Sequence, residues 1–185
     1  MAYTLYDADG KVVDHGNLQA KGAWCEAGAK TEEVFVAKHG KALSLIINPE
    51  KATSPYVPDL FNTSTRVMGD LKTQNTPFFQ ATSRYGQDAQ FAVVFNQKDA
   101  ERYARHYPDI EIYFWVDWVV TGFRGTTEIS VQPMTGVWFI PFRELQKLLA
   151  SAPVHYYAQR TNDTQGNAKG SYVLDLRSPA FQKVG

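Results

Sequence analysis

The chain of 185 residues is 44% hydrophobic, 14% aromatic and 21% charged, and its 19 basic and 19 acidic side chains give a formal net charge of zero. This composition is typical of a globular protein, and the length suits one domain with a sizeable core, which we assign to residues 1–185. The zero net charge excludes a strongly basic nucleic-acid-binding protein but not a local basic patch. Cys25 is the only cysteine, which excludes an intrachain disulfide and a cysteine-rich zinc site.

The sequence contains no recognisable targeting or membrane segment. Residues 1–7 lack the basic-then-apolar pattern of a signal peptide. No apolar run approaches the ~20 residues that a membrane-spanning helix requires. We therefore expect a cytoplasmic protein with no membrane partner and no organic cofactor.

The first half of the chain predicts a hairpin, a helix and three strands. The hairpin is expected at 3–14, where Asp-Ala-Asp-Gly (7–10) supplies the turn. Positions 29, 33, 36, 40 and 43 recur at spacings of three and four residues, which predicts a helix over 21–40. Strands are expected at 43–47, 57–61 and 66–73, with a proline-rich loop over 48–58.

The second half of the chain again mixes strands with helices. A strand is predicted at 91–96, a polar helix at 98–106, a strand rich in β-branched and aromatic residues at 110–120, a second hairpin at 126–140, a helix at 141–150 with proline in its first turn, and closing strands at 154–159 and 171–176. This order predicts an α/β or α+β layered domain with a mixed central sheet flanked by helices.

The segment PDLFNTSTRVMGDLKTQ (58–74) concentrates charged side chains within the predicted strands. In a strand, residues two apart point to the same face, so Asp70 and Lys72 share a face about 6.6 Å apart along the chain. Asp59 lies on the preceding element, and a hairpin-like return through 62–65 would bring its carboxylate beside that of Asp70. Two carboxylates so close repel each other unless a cation lies between them.

A divalent cation between Asp59 and Asp70 would define a chemistry. Mg²⁺ prefers hard oxygen ligands and usually takes one or two protein carboxylates, with water and substrate phosphate completing its shell. A nearby lysine ammonium, that of Lys72, would orient an attacking water or stabilise charge on the phosphate. The chemistry is metal-assisted hydrolysis of a phosphodiester.

These residues resemble the motif of the PD-(D/E)xK nuclease superfamily. The matching positions are Pro58-Asp59 and, after ten intervening residues, Asp70-Leu71-Lys72. Members of the superfamily commonly carry a glutamate on the helix before the first core strand, and Glu33 or its neighbour Glu32 lies on such a predicted helix. The superfamily core, αβββαβ, agrees with the element order predicted across about residues 24–120.

The resemblance implies a magnesium-dependent deoxyribonuclease, an endonuclease with a restriction-endonuclease-like core, an N-terminal hairpin and C-terminal additions. Asp59 and Asp70 would be catalytic metal ligands, and Lys72 would be the catalytic lysine. Glu33 or Glu32 would be a further or water-mediated ligand. The implied cofactor is Mg²⁺, with Mn²⁺ as a substitute.

The expected partner is DNA. Gln74, two residues beyond Lys72 on the same strand face, would contact DNA or the attacking water. Arg102 and Arg105 form a basic face on the predicted helix 98–106, which either contacts phosphates or is simply solvated. Cleavage of both strands of a duplex would require two sites, which favours a homodimer.

Several alternatives stay open at this point. The chain is also compatible with a non-catalytic nucleic-acid-binding or protein-interaction module on the same fold, in which Asp59 and Asp70 are structural. A phosphatase-like or nucleotide-hydrolysing enzyme lacks support because the sequence has no Gly-x-x-x-x-Gly-Lys loop. The sequence does not distinguish DNA from RNA, endonuclease from exonuclease, or restriction, repair, recombination and phage-borne roles.

Overall fold

The computed structural model describes residues 3–13, 31–156 and 170–185. The strands in these ranges are β1 (Thr4–Tyr6), β2 (Val12–Val13), β3 (Leu45–Ile47), β4 (Leu60–Asn62), β5 (Met68–Gln74), β6 (Ala92–Asn96), β7 (Glu111–Asp117), β8 (Gly122–Arg124), β9 (Glu128–Ser130), β10 (Thr135–Pro141), β11 (Val154–His155), β12 (Ser171–Asp175) and β13 (Gln182–Lys183). The helices are α1 (31–43, with a π-helical turn at Val36–Gly40), a 3₁₀ helix (Pro49–Ala52), α2 (Gln80–Tyr85), α3 (Gln97–His106) and α4 (Phe142–Leu149).

The largest sheet has six strands in the order β13-β10-β7-β5-β4-β3. Strands β3, β4 and β5 form an antiparallel meander. Strand β7 then pairs parallel to β5, and α3 lies in the connection between them. On the other side β7, β10 and β13 pair antiparallel. The prediction of an α+β domain with a mixed sheet is confirmed.

Both faces of the central strand β7 are buried, which explains its nearly continuous apolar sequence. Ile112, Phe114 and Val116 belong to the larger core cluster, which also contains buried side chains of α3 and α4. Tyr113 points the other way and joins a second cluster that includes Phe35 of α1. The six-stranded sheet is therefore packed against α1 on one face and against α3 and α4 on the other.

Two smaller sheets flank the central one. The first has the order β2-β1-β8-β9, and the second has the order β11-β12-β6. The predicted hairpin over 126–140 is wrong, because β9 pairs with β8 whereas β10 pairs with β7 and β13. The physical reason is burial: Val137, Trp138 and Ile140 are too apolar for a two-stranded surface ribbon and are buried in the central sheet.

The other predicted elements agree with the structure to within a few residues. The hairpin of β1 and β2 is present, with Asp7 Oδ1 accepting from the backbone of Asp9 and Lys11. Helix α2 was not predicted, and α4 begins after Pro141 rather than with it. Residues 21–30 of the predicted first helix, Cys25 among them, and residues 157–159 of a closing strand lie outside the described ranges. None of the helices in the described ranges is both long and apolar enough to cross a membrane.

A buried carboxylate secures the turn that joins β4 to β5. Glu111, the first residue of β7, accepts hydrogen bonds from Asn62 Nδ2 at 2.9 Å, Thr65 Oγ1 at 3.0 Å and the Tyr113 hydroxyl at 2.7 Å. The Asn62 Oδ1 atom in turn accepts from the backbone of Ser64 and Thr65. A buried carboxylate is costly without such donors. The network therefore fixes the return of the chain from β4 to β5.

The Tyr113→Phe variant should be less stable by about 1–2 kcal/mol, because it removes one donor from the buried Glu111 carboxylate. That loss corresponds to a decrease in Tm of roughly 3–6 °C for a domain of this size. Thermal unfolding followed by circular dichroism would measure it. Tyr156→Phe is the matched control, since Tyr156 is 66% exposed. An unchanged Tm in Tyr113→Phe would show that the network contributes nothing.

Candidate active site

The register of β4 and β5 places Asp59 opposite Asp70. Leu60 pairs with Gly69 and Phe61 with Met68, so the next position along this antiparallel pair sets Asp59 against Asp70. Residues directly opposite each other in antiparallel strands point to the same face. Asp59 immediately precedes β4, and its Oδ2 atom lies 3.4 Å from the backbone nitrogen of Leu71. The two predicted acids are therefore cross-strand neighbours.

Lys72 lies beside Asp70 on the same face of β5, as its spacing predicts. The Lys72 ammonium is 2.6 Å from Asp70 Oδ2 and 2.7 Å from Asp99 Oδ2. Asp99 is in the first turn of α3, which covers this face of the sheet. The ammonium also lies 5.7 Å from the ring centre of Phe95 and 5.8 Å from that of Tyr103. Two carboxylates and two aromatic rings therefore hold Lys72 in one position.

Tyr103 connects Asp70 to a second basic side chain. Tyr103 is fully buried, and burial together with the nearby Asp70 and Asp99 carboxylates raises the pKa of its hydroxyl well above the ordinary value. The same hydroxyl accepts from Arg102 Nη2 at 2.7 Å, and Arg102 Nη2 lies 3.6 Å from Asp99 Oδ1. Asp70 is therefore paired with the Lys72 ammonium of its own strand and lies near the buried Tyr103 of α3.

The loop before β4 brings a further lysine to Asp59. Asn48 closes this loop: its backbone nitrogen donates to Asp59 O at 2.9 Å, and its Nδ2 donates to Pro58 O at 2.9 Å. The 3₁₀ helix that follows Asn48 carries Lys51. The Lys51 ammonium lies 2.8 Å from Asp59 Oδ1 and 2.5 Å from Glu32 Oε2. Lys51 therefore links Glu32, on α1, to Asp59.

Burial and charge set the protonation of the central pair. Burial raises the pKa of Asp70, the Lys72 ammonium opposes this only in part, and the nearby Asp59 carboxylate adds to it. Burial also disfavours the charge on Lys72, but Asp70 and Asp99 together raise the Lys72 pKa above the ordinary lysine value. Lys72 is therefore cationic near neutral pH. A further cation beside Asp70 would favour its ionised form.

Two carboxylates of the cluster, those of Asp59 and Asp70, are the candidate ligands for a hard divalent cation. Within the described ranges, no three His, Cys, Asp or Glu side chains lie close enough together to hold a metal ion. Mg²⁺ does not require three, because it usually binds through one or two carboxylates and keeps several waters. Asp59 and Asp70 are cross-strand neighbours, so their carboxylates would be the two such ligands. The Lys51 ammonium bridges the carboxylates of Glu32 and Asp59.

Two of the predicted site residues do not join this cluster. Glu33 is exposed on α1, whereas Glu32 reaches Lys51, so of the two glutamates it is Glu32 that connects to the site. Gln74 donates from Nε2 to Val94 O at 2.9 Å and accepts from Val94 N at 3.3 Å. The Gln74 amide thus links β5 to β6 in this structure.

The predicted basic face of α3 lies next to the cluster. A shallow cleft is lined by Lys98, Glu101, Arg102, Arg105 and His106. Arg102 belongs to both features, since it also contacts Tyr103 and Asp99. Its Nη1 atom is 3.5 Å from Tyr56 O, and the Tyr56 side chain is 82% exposed. The site therefore borders a basic surface with an exposed aromatic ring at its edge.

Sequence reasoning missed two members of the cluster, Lys51 and Asp99. Lys51 lies in a loop that the prolines mark only as irregular. Asp99 stands three residues before Arg102, a spacing typical of a surface pair on a helix. No local pattern connects either residue to Asp59 or Asp70, because only the folded chain brings them together.

Comparison of the chain with protein-family models, with curated proteins and with solved structures finds no match. The class of protein must therefore be argued from the geometry of the site alone.

Proposed function

We propose that the protein is a magnesium-dependent deoxyribonuclease that hydrolyses phosphodiester bonds, of the PD-(D/E)xK type. The observation that carries this proposal is the convergence of Asp59, Asp70 and Lys72 on one face at the β4–β5 pair. Two adjacent carboxylates with a fixed ammonium at their side suit a phosphate-bound divalent cation. Glu32, joined through Lys51, completes the acidic edge.

The order of the elements supports the same proposal. Helix α1 precedes the antiparallel strands β3, β4 and β5, and α3 leads into β7, which is parallel to β5. With α2 and β6 treated as additions between β5 and α3, this order is compatible with the proposed αβββαβ core.

Each side chain has a distinct role in the proposed reaction. Asp59 and Asp70 would hold Mg²⁺, which when bound would supply charge neutralisation at the phosphate and lower the pKa of a bound water. Glu32, which Lys51 joins to Asp59, would contribute through a water-mediated contact. Lys72 is a cation held between Asp70 and Asp99, so it donates a hydrogen bond to a phosphate oxygen or to the attacking water and does not act as a base. Asp99 and Tyr103 are positioning residues for Lys72 and Asp70.

The basic cleft on α3 is the proposed contact with the DNA backbone. Arg105→Ala should weaken DNA binding about three- to tenfold at low salt and reduce the salt dependence of log K by about one, because one phosphate contact is lost. Fluorescence anisotropy of a labelled duplex in Ca²⁺ measures binding without Mg²⁺-driven cleavage. Arg124→Ala is the control with the same change in charge, because Arg124 lies on β8, away from α3, and is paired with Glu128. Equal salt slopes in both variants would remove Arg105 from the DNA interface.

Incubation with DNA in the presence and absence of Mg²⁺ tests the proposed activity. The substrates are supercoiled plasmid, linear duplex, single strand and four-way junction, with EDTA as the metal-free control. Cleavage of at least one substrate only with Mg²⁺ or Mn²⁺ is the expected result. Linear plasmid that forms without a nicked intermediate would indicate two sites acting together, as in a homodimer. No cleavage of any substrate would contradict the proposal.

A second function is favoured by one observation, the balance of charge within the cluster. Lys51 and Lys72 already neutralise much of the charge on Asp59 and Asp70, as in a purely structural salt-bridge network. On that basis the protein would be a non-catalytic nucleic-acid-binding or protein-interaction module. Thermal unfolding with and without Mg²⁺ discriminates between the two, because a ligand that binds only the native state raises Tm. A module would not respond to Mg²⁺.

A further inference from the structure

An exposed tyrosine stands at the edge of the basic cleft on α3. The Tyr56 side chain is 82% exposed. Single exposed apolar side chains are common on protein surfaces, so its neighbours decide what this one can do. The Tyr56 carbonyl oxygen lies 3.5 Å from Arg102 Nη1, and the Arg102 guanidinium lies 4.7 Å from the centre of the buried Tyr103 ring. The loop that presents the Tyr56 ring to solvent is therefore anchored on α3.

The same loop places Tyr56 close to the proposed catalytic residues. Only Val57 and Pro58 separate Tyr56 from Asp59, so the two Cα atoms are at most roughly 11 Å apart. Asn48 fixes the end of this segment, since its Nδ2 donates to Pro58 O and its backbone nitrogen donates to Asp59 O. Neighbouring bases of one DNA strand are about 3.4 Å apart along the helix axis. A base on the Tyr56 ring would therefore lie within a few nucleotides of Asp59.

The charge beside the ring is confined to a small area. The cleft is lined by Lys98, Glu101, Arg102, Arg105 and His106. The whole chain has no net charge, so this surface is a local feature and not part of a broadly basic face. A groove with a few cations can follow the single phosphate backbone of an unpaired strand, whereas a duplex presents two backbones on either side of a groove.

An exposed ring beside such a cleft distinguishes unpaired bases from paired ones. Inside a duplex each base is covered on both faces by its neighbours, so a side chain must unstack the helix before it can contact a base face. In a single strand any base can place a face on the ring, and this stacking tolerates every sequence. Tyrosine loses little conformational freedom when it binds, because its side chain has only two torsion angles. Tyr56, Arg102 and Arg105 together suit one base and the backbone of one strand.

We propose that the substrate of this site is DNA with unpaired bases, one of which stacks on Tyr56 while Arg102 and Arg105 contact the phosphates beside it. This inference rests on the proposed function, because it names the substrate class of the same site. Its consequence is that single strands, and duplexes with an unpaired tail, bind through both stacking and charge. An intact duplex binds through its phosphates alone.

Fluorescence anisotropy in Ca²⁺, with a labelled oligothymidylate and a labelled duplex of equal length, tests this proposal. Tyr56→Ala should weaken binding of the oligothymidylate about five- to 30-fold, because one stack of base on ring is lost, and should change binding of the duplex less than about twofold. Tyr56→Trp keeps an aromatic ring and should bind the oligothymidylate at least as tightly as the unmodified protein. Tyr3→Ala should leave both affinities unchanged, because the exposed Tyr3 packs on Phe123 of β8.

Three results would overturn the role of Tyr56. The first is an unchanged affinity of Tyr56→Ala for the oligothymidylate, and the second is an equal loss of affinity for the duplex. The third is Tyr56-dependent binding of an oligouridylate that is tighter than that of the oligothymidylate, which would make RNA the occupant. Because Tyr56 is so exposed, Tyr56→Ala should keep its Tm, and thermal unfolding shows that a loss of affinity is not a loss of fold.

A cleavage assay separates this proposal from the proposed activity. With Mg²⁺, Tyr56→Ala should raise KM for single-stranded DNA about five- to 30-fold and leave kcat nearly unchanged, because the ring lies to the side of the reacting phosphate. An equal KM in Tyr56→Ala and the unmodified protein would overturn the role of Tyr56 and leave the nuclease in place. Tyr56-dependent binding without cleavage of any DNA would overturn the nuclease and leave the single-strand surface in place. No binding of either DNA would overturn both.

Discussion

The Asp70→Asn variant is expected to lose the proposed Mg²⁺-dependent DNA cleavage by at least about 10³-fold, because it removes the proposed charged metal ligand that lies between Asp59 and Lys72. Asparagine is the sharper substitution here because it keeps the volume and the hydrogen-bonding shape of the side chain. Alanine would leave the Lys72 ammonium with Asp99 as its one carboxylate partner and a small cavity in the sheet, and breaking a buried pair in this way costs about 3–5 kcal/mol. Cleavage of plasmid under single-turnover conditions measures the loss.

Asp99→Asn is the matched control for this variant. Both substitutions remove one of the two carboxylates that contact Lys72, but only Asp70 is proposed as a metal ligand. Asp99→Asn should therefore keep its Mg²⁺ affinity and lose activity by about 10- to 100-fold, as is usual for a residue that orients a catalytic group. Full Mg²⁺-dependent activity in Asp70→Asn would refute the assignment of Asp70.

The Lys72→Gln variant should lower turnover by about 10²–10³-fold while leaving Mg²⁺ binding intact. Glutamine nearly matches the reach of lysine but carries no charge, so it cannot stabilise negative charge that develops on the phosphate. Mg²⁺ affinity should stay the same or increase, because a neighbouring positive charge has been removed. Calorimetry beside a cleavage assay separates the two quantities.

Lys72→Arg provides the comparison at constant charge. The planar guanidinium is larger than the ammonium and does not fit the position between Asp70 and Asp99 in the same way. We expect partial activity, above that of Lys72→Gln and below that of the unmodified protein. Parallel loss of turnover and Mg²⁺ affinity in Lys72→Gln would mean that Lys72 supports the site structurally and takes no part in the reaction.

The centre of the site was predictable because it depends on strand periodicity. Asp70 and Lys72 are two residues apart, and a period of two places them on one face in any strand. The short connection over 62–65 returns the chain at once, which brings Asp70 beside Asp59. The apolar residues of β7 likewise identified the central strand. These inferences needed no knowledge of how distant elements pack.

The periphery of the site could not be predicted, since tertiary packing decides it. Glu32 and Glu33 are adjacent on the chain, and the rotation of α1 against the sheet determines which one faces Lys51. That helix contains a π-helical turn at Val36–Gly40, which shifts the phase of a regular helix. Gly40 allows α1 to lie close to the start of β3, because a Cβ at position 40 would lie 2.6 Å from the backbone oxygen of Leu45.

The partners of β9 and β10 show the same limit at the level of the sheet. Their alternating residues and short separation favour a hairpin, yet β10 has a larger apolar surface to bury and pairs with β7 instead. Local turn chemistry competes with burial in the central sheet, and burial of large apolar side chains is the stronger term. Sequence proximity alone did not reveal that competition.

A crystal soaked in Mn²⁺ and measured at the manganese absorption edge tests the central claim most directly. The expected result is an anomalous peak within about 2.2 Å of carboxylate oxygens of both Asp59 and Asp70. The absence of any peak beside these two carboxylates at saturating Mn²⁺ would contradict the proposed metal site.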